Sequence, residues 1–236
     1  MSYAETARTG WMSRPSALPC PGPREVHVWR ARISAPEAHD WVETLAPDER
    51  ERADRFRVAD DRRRFTATRA VLRMLLGQYL ALAPRSLRFT YDRYGKPALD
   101  RSRNSRGITF NVAHSGDCAL LAFGLNTDVG IDVEHLRIER NVVELAKTLL
   151  TPSQFGRLLM QPEAARKREF LQAWTRSEAV GKALGAGISV APGVIERALV
   201  DASQWSICDI DVRADYVAAL AAQVPGVRLR FWDCQS

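Results

Sequence analysis

The chain has 236 residues, 46% hydrophobic and 26% charged, with a formal net charge of +6; this excludes a staple-dependent mini-protein and a chain disordered throughout. It contains no run of about 18 apolar residues and no apolar signal core near the N-terminus, so no membrane partner, no export and a cytoplasmic setting are expected. Cys20, Cys118, Cys208 and Cys234 are widely spaced and form no C-x-x-C pair, which argues against a zinc site or a redox dithiol.

Residues 1–24 carry Pro15, Pro19, Pro21 and Pro23 with little apolar periodicity, and are expected to form a flexible segment outside the core. Residues 25–33 (EVHVWRARI) are predicted as a strand. Pro47 stands where a helix-opening proline belongs, and a short arginine-rich helix should run to about Arg57. From Asp60 to Ala83, Phe65, Leu72, Leu76 and Tyr79 recur at helical spacing, while Arg62, Arg69 and Arg73 share another face. Pro84 should stop this helix. Strands are predicted at 87–91, 108–113, 118–124 and 128–134, helices at 141–150 and 164–184, and strands at 205–212, 216–222 and 227–232. The order strand, helices, strands occurs twice, which predicts two α+β halves, 25–125 and 126–236. Their sequences are too different to establish an internal repeat.

Charge is uneven along the chain. Residues 1–125 hold 21 Arg and Lys against 14 Asp and Glu, whereas residues 126–236 hold 13 against 14. An anionic ligand facing the N-terminal half is the expectation. The densest run, Arg50 to Arg73, holds nine arginines interleaved with Glu51, Asp54, Asp60 and Asp61. A solvated, ion-paired helix face explains such a run as well as a binding surface does. Nucleic-acid binding is thus allowed, though no reading helix or stacking motif accompanies it.

Two clusters carry candidate chemistry. Asp132 and Glu134 stand at i and i+2 on a predicted strand, so both carboxylates point to one face. Their repulsion is relieved by an oxygen-seeking divalent cation such as Mg²⁺; an exposed polar strand face is the plain alternative. In the helix over 164–184, Trp174, Glu178 and Lys182 follow one another at four-residue steps on one face. A carboxylate and an ammonium then meet the same ligand, or form a surface pair that contributes about 0.3–0.5 kcal/mol. Gly185 and Gly187 should end that helix.

Four segments taken in order carry a resemblance: Tyr94-Gly95-Lys96-Pro97, Phe110-Asn111-Val112-Ala113-His114-Ser115, Gly130-Ile131-Asp132-Val133-Glu134, and Trp174 to Lys182 with Gly185 and Gly187. Over most of residues 25–232 the chain resembles the 4'-phosphopantetheinyl transferases, the large type that activates carrier domains of peptide and polyketide synthases. The resemblance implies two similar α+β halves about a pseudo-twofold axis, with coenzyme A and Mg²⁺ in the cleft between them. It implies transfer of the phosphopantetheine arm to a serine of an apo acyl or peptidyl carrier domain, releasing adenosine 3',5'-bisphosphate. By similarity, Asp132, Glu134 and Glu178 hold the metal, and Lys182 neutralises a phosphate. Lys96 and Pro97 match the stretch lining the adenine pocket. Arg52 and His114 match positions that meet the 3'-phosphate, and Arg69 is added from its helix stripe. The general base is Glu178 or a metal-bound water. No nucleic-acid partner is implied, and two fused halves make a monomer sufficient.

The chain departs from the family pattern in four places. Ala113 stands where a serine often precedes the histidine, removing a hydroxyl from the expected phosphate cradle. Ser177 stands where lysine is frequent, Gln154 where many relatives have the glutamate of S-P-x-E, and Glu49 where some have a base. These departures motivate an alternative, a non-catalytic protein of the same fold that binds carrier domains or coenzyme A.

Overall fold

Side-chain alternation along the strands sets the layers of this molecule, whose computed structural model describes residues 5–7, 10–34, 41–92, 95–100, 102, 104–137, 141–185 and 192–235. Strand β7 (Cys118–Leu125) runs antiparallel between β3 (Glu25–Arg32) and β6 (Ile108–Ser115). Its Ala119, Leu121 and Phe123 enter one core, and its Cys118, Leu120 and Ala122 enter a second, as successive residues of a pleated strand must. The first core is closed by Val71, Leu72, Leu75 and Leu76 of helix α2 (Ala59–Leu80). The second is shared with β8 (Val129–His135), β9 (Ser206–Ile210) and β10 (Tyr216–Ala222) of another sheet. Helices α5 (Glu163–Ala183) and α6 (Pro192–Val200) cover the far face of that sheet. Beside them, α3 (Val142–Leu149) and α4 (Pro152–Leu159) pack with α5 over Val217 of β10. The layers therefore run helix, sheet, sheet, helices, in the α+β class expected.

The halves are not two separate stretches of chain. Strand β11 (Arg228–Asp233) lies parallel to β3 in the first sheet, with β2 (Met12–Ser13) parallel on its outer side. Strand β1 (Glu5–Ala7) lies parallel to β9 at the edge of the second sheet. The expected border after residue 125 falls in the β7–β8 turn, but the terminal strands are exchanged across it. The described part of residues 1–24 also contributes to packing, contrary to the expected segment outside the core. Trp11 Nε1 donates to the Asp211 carbonyl at 3.0 Å and Trp11 packs edge-on against Phe231, while Leu18 and Cys20 pack on the first core. Isolated anchors of this kind leave no periodic signal in sequence.

Helix ends follow local chemistry. Helix α1 (Pro47–Asp54) opens with proline at its first turn, and Glu49 Oε2 accepts the Ala46 N–H at 3.0 Å. Helix α2 stops at Leu80, short of the expected Ala83, because Ala81 turns left-handed at φ 55° and the Leu82 N–H returns to the Gly77 carbonyl. Helices α4 and α6 and the small hairpin of β4 (Phe89–Tyr91) and β5 (Pro97–Leu99) complete the fold. Among the described residues no helix is long and apolar enough to cross a membrane.

The arginine run divides into two populations. Arg62, Arg63 and Arg64 are paired at the surface with Asp54, Asp60 and Asp61 at 2.5, 3.0 and 3.2 Å. Arg69 and Arg73 instead are buried, 7% and 1% exposed, against the equally buried Glu49. Arg73 Nε meets Glu49 Oε2 at 2.5 Å, and its Nη1 donates to the Pro84 and Leu87 carbonyls. The solvated-face reading therefore fails for these two.

A second buried polar chain crosses the first core. Trp29 Nε1 donates to the Tyr79 hydroxyl at 2.9 Å, and Tyr79 stands 2.8 Å from His27 Nδ1. The other ring nitrogen, Nε2, stands 3.5 Å from Glu25 Oε1. Burial pushes His27 down to about 4, against the opposing pull of Glu25. The unfolded chain takes up this proton at the ordinary histidine value and the folded chain does not, so the contribution is intact above about pH 6.5 and is lost as pH falls toward 4. Denaturant unfolding between pH 7.5 and 4.5 should show this loss, with a slope approaching about 1.4 kcal/mol per pH unit from this one group. His27→Gln should flatten that part of the profile; an unchanged slope would mean that the imidazole is charged in the native state.

Candidate active site

Strand β8 has two unlike faces. Val129, Ile131 and Val133 enter the core between the sheets, which turns Gly130, Asp132 and Glu134 toward α5. A Cβ on Gly130 would stand 1.9 Å from the Ala179 carbonyl oxygen and 2.6 Å from the Ala183 nitrogen. The helix backbone thus rests directly on this glycine. One pleat further along, Lys182 Nζ donates to Asp132 Oδ1 at 2.6 Å and to the Ile131 carbonyl at 3.2 Å. Helical spacing brings Glu178 one turn before Lys182, within the field of Asp132. Gly185 closes this end of the helix at φ 66°.

Electrostatics mark this cluster. Burial raises the Asp132 carboxyl despite Lys182 beside it, and Asp132 Oδ2 is buried without a hydrogen-bond partner. Burial raises Glu134 and Glu178 as well, and in both the charge of Asp132 adds to the shift. Among the described residues no three carboxylate, imidazole or thiol side chains form a ready-made metal cage; the Lys182 ammonium stands on Asp132 instead. An orphaned buried carboxylate oxygen, with two more carboxylates repelling it, nevertheless suits a hard divalent cation.

A cavity of about 290 Å³ adjoins the cluster, lined by Lys96 and Pro97 from one half and Glu178 and Lys182 from the other. Lys96 Nζ donates to the Lys182 carbonyl, and the Lys96 N–H is held by Asp92 Oδ1 at 2.9 Å. Burial lowers Lys96. His114 is exposed at the outer end of β6. Enough protein surrounds its ring to lower its pKa, and the charges of Lys182 and Arg64 lower it further.

Of the sequence-predicted residues, Lys96, Pro97, Glu178 and Lys182 line the cavity, Asp132 is held by Lys182 on its wall, Glu134 lines a neighbouring pocket with Ser115, Arg64 and His135, and His114 lies at the exposed end of β6. The Arg52 and Arg69 guanidinium groups stand over the Phe65 ring at 5.3 and 5.6 Å, next to the hairpin whose Pro97 lines the cavity. Arg69 also covers Phe89 and Tyr91, and its Nη1 is buried without a partner. Glu49 is the buried counter-ion of Arg69 and Arg73, which accounts for an acid at that position. Trp174 packs on the core of α3, α4 and α5 rather than against the cavity. Tyr94 and Gly187 lie outside the described residues.

The FNVAHS segment has a role that spacing did not reveal. Asn111 Oδ1 accepts the Ile131 N–H at 2.9 Å, and Ser115 Oγ accepts the His135 N–H at 3.1 Å while donating to Glu134 Oε2 at 3.0 Å. Asn111, Ala113 and Ser115 form one row facing β8. Ala113, 6% exposed, packs in the core between the sheets.

The departures at 154 and 177 are partners of each other. Gln154 Oε1 accepts the Thr151 N–H at 3.0 Å as part of the α4 cap, and its Nε2 donates to Ser177 Oγ at 3.1 Å. Ser177 in turn donates to the Ala173 carbonyl at 3.1 Å. Both are 6% exposed, so a neutral bond joins α4 to α5 where the family pattern places an acid and a base. Gln154→Glu alone should destabilise by about 1–3 kcal/mol, because the oxygen that replaces Nε2 then faces a hydroxyl whose proton is given to the Ala173 carbonyl. Adding Ser177→Lys should recover part of that loss, with a coupling of about 0.5–3 kcal/mol in denaturant unfolding; strict additivity would mean that the two positions do not interact.

The chain is similar in sequence to known proteins of one family. Residues 29–125 match the family described as 4'-phosphopantetheinyl transferase, N-terminal, and residues 128–232 match the 4'-phosphopantetheinyl transferase superfamily. The chain is 36% identical over 231 residues to the 4'-phosphopantetheinyl transferase HetI of Nostoc sp., covering 94% of this chain and 97% of that protein. It is 27% identical over 209 residues to a phosphopantetheinyl transferase of Thraustochytrium sp., covering 82% and 72%. It is 25% identical over 158 residues to the 4'-phosphopantetheinyl transferase Sfp of Bacillus subtilis, covering 67% and 68%.

Proposed function

As this chain belongs to the 4'-phosphopantetheinyl transferase superfamily, we propose that it transfers the phosphopantetheine arm of coenzyme A to a serine of an acyl or peptidyl carrier domain. The reaction uses Mg²⁺ and releases adenosine 3',5'-bisphosphate. The observation that carries this reading is the buried Asp132, with an orphaned Oδ2, set between Lys182 and the field of two further carboxylates beside the Lys96–Pro97 cavity.

The serine oxygen attacks the β-phosphorus, the bond from that phosphorus to the bridging oxygen breaks, and the bisphosphate leaves with the bond electrons. Positioning and charge stabilisation do most of the work in such a transfer. Asp132, Glu134 and Glu178 would hold the divalent ion, which when bound neutralises the pyrophosphate oxygens. Lys182, on the cavity wall, offsets charge on the departing bisphosphate. Glu178, raised by burial and by Asp132, is suited to accept the serine proton. Lys96 and Pro97 line the donor cavity, while His114, Arg52 and Arg69 are taken as the anion contacts of the 3'-phosphate. The unpaired Nη1 of Arg69 supports that role. One chain supplies both walls of the cavity, which supports a monomer.

The non-catalytic alternative loses part of its motivation, because Gln154 and Ser177 satisfy each other in a neutral bond. Incubation of the full chain with coenzyme A, Mg²⁺ and an apo carrier domain should add one phosphopantetheine to the carrier, read by intact mass. Asp132→Ala should lower the rate by at least about 100-fold with its melting temperature retained. An unchanged carrier mass across a panel of acceptors would refute the transfer, and full activity of the variant would remove the metal assignment.

A further inference from the structure

Ser115 ends β6 on a turn that is held from three sides. Arg64 Nε donates to the Gly116 carbonyl at 3.0 Å, the Ile33 N–H donates to the Asp117 carbonyl at 2.8 Å, and the Tyr216 hydroxyl donates to Asp117 Oδ1 at 2.7 Å. Gly116 sits at φ 58°, and a Cβ there would stand 2.6 Å from the Tyr216 hydroxyl. The turn therefore has little freedom, and the Ser115 hydroxyl is a fixed point between the two sheets.

That hydroxyl has one proton. The His135 N–H approaches its lone pairs at 3.1 Å, and the proton is given to Glu134 Oε2 at 3.0 Å. The backbone bond orients the hydroxyl, and the hydroxyl orients the carboxylate. We propose that Ser115 is a positioning residue for Glu134, fixing the carboxylate by one oxygen and leaving the other to the divalent ion. This rests on the reading of Glu134 as a metal ligand. A ligand carboxylate held by an outer hydrogen bond loses less rotational freedom on binding, and removal of such a partner typically weakens metal affinity by about 10–100-fold.

The test is Mn²⁺ binding to the full-length protein without carrier, followed by the electron spin resonance signal of the free ion. Ser115→Ala should weaken binding about tenfold, Ser115→Thr should restore it by keeping the hydroxyl, and Glu134→Gln should weaken it at least as far as Ser115→Ala. In the Glu134→Gln background, Ser115→Ala should have no further effect. Wild-type affinity in Ser115→Ala, beside a loss in Glu134→Gln, would overturn the positioning role and leave the metal reading intact. Wild-type affinity in Glu134→Gln would overturn the metal reading itself. If Ser115→Ala fails to fold, Ser115→Cys, a poor donor of similar volume, reads the same comparison.

Discussion

One edge of β8 is satisfied by backbone and the other by side chains, and the rest of the site depends on this difference. Toward β10 the strand makes an ordinary antiparallel ladder. On its opposite edge, the Ile131 and His135 N–H groups are taken by Asn111 and Ser115. Buried backbone donors need acceptors, and here the acceptors stand on side chains. Strands β6 and β8 are therefore joined without merging into one sheet. The side chains that make this join belong to the same strand as Phe110, Asn111 and Val112, so the link between the sheets and one wall of the cavity have a common origin.

Charge is distributed with similar economy. Gly130 lets α5 descend onto β8, and the descent sets Lys182 on Asp132. Burial raises all three carboxylates, and the charge of Asp132 raises Glu134 and Glu178 further, a field that favours added positive charge. In the first half, the buried charges Glu49, Arg69 and Arg73 are matched largely among themselves. Between α4 and α5, a neutral glutamine and serine replace an acid and a base, which avoids the desolvation that a buried ion pair requires.

Much of this was legible in the sequence because the relevant signals are local. Helical patterning disclosed α2 and α5, strand-forming runs between turn-rich stretches disclosed β6, β7 and β8, and the two-residue period placed Asp132 and Glu134 on one face. What stayed hidden depends on partners distant in the chain. The burial of Arg69 and Arg73 follows from Glu49, about twenty residues earlier, and nothing in the arginine spacing separates them from the paired surface arginines. Gln154 and Ser177 were visible only as two separate oddities. Helix α4 was missed because its eight residues contain Gly156, although its Thr151-Pro152-Ser153-Gln154 cap was present as a signal. The short strands β1, β2 and β5 are defined by pairing alone.

The exchange of terminal strands bears on how the molecule is made. Strand β11 lies beside β3, which precedes it by most of the chain's length. Nearly two hundred residues of synthesis separate them. During that interval the early sheet lacks a neighbour for Trp29, whose ring stacks on Trp232 at 5.1 Å in the finished protein. The nascent N-terminal half consequently waits with an open hydrophobic edge, a state that invites wrong pairing in crowded surroundings. Native closure of this sheet thus waits until β11 has been made.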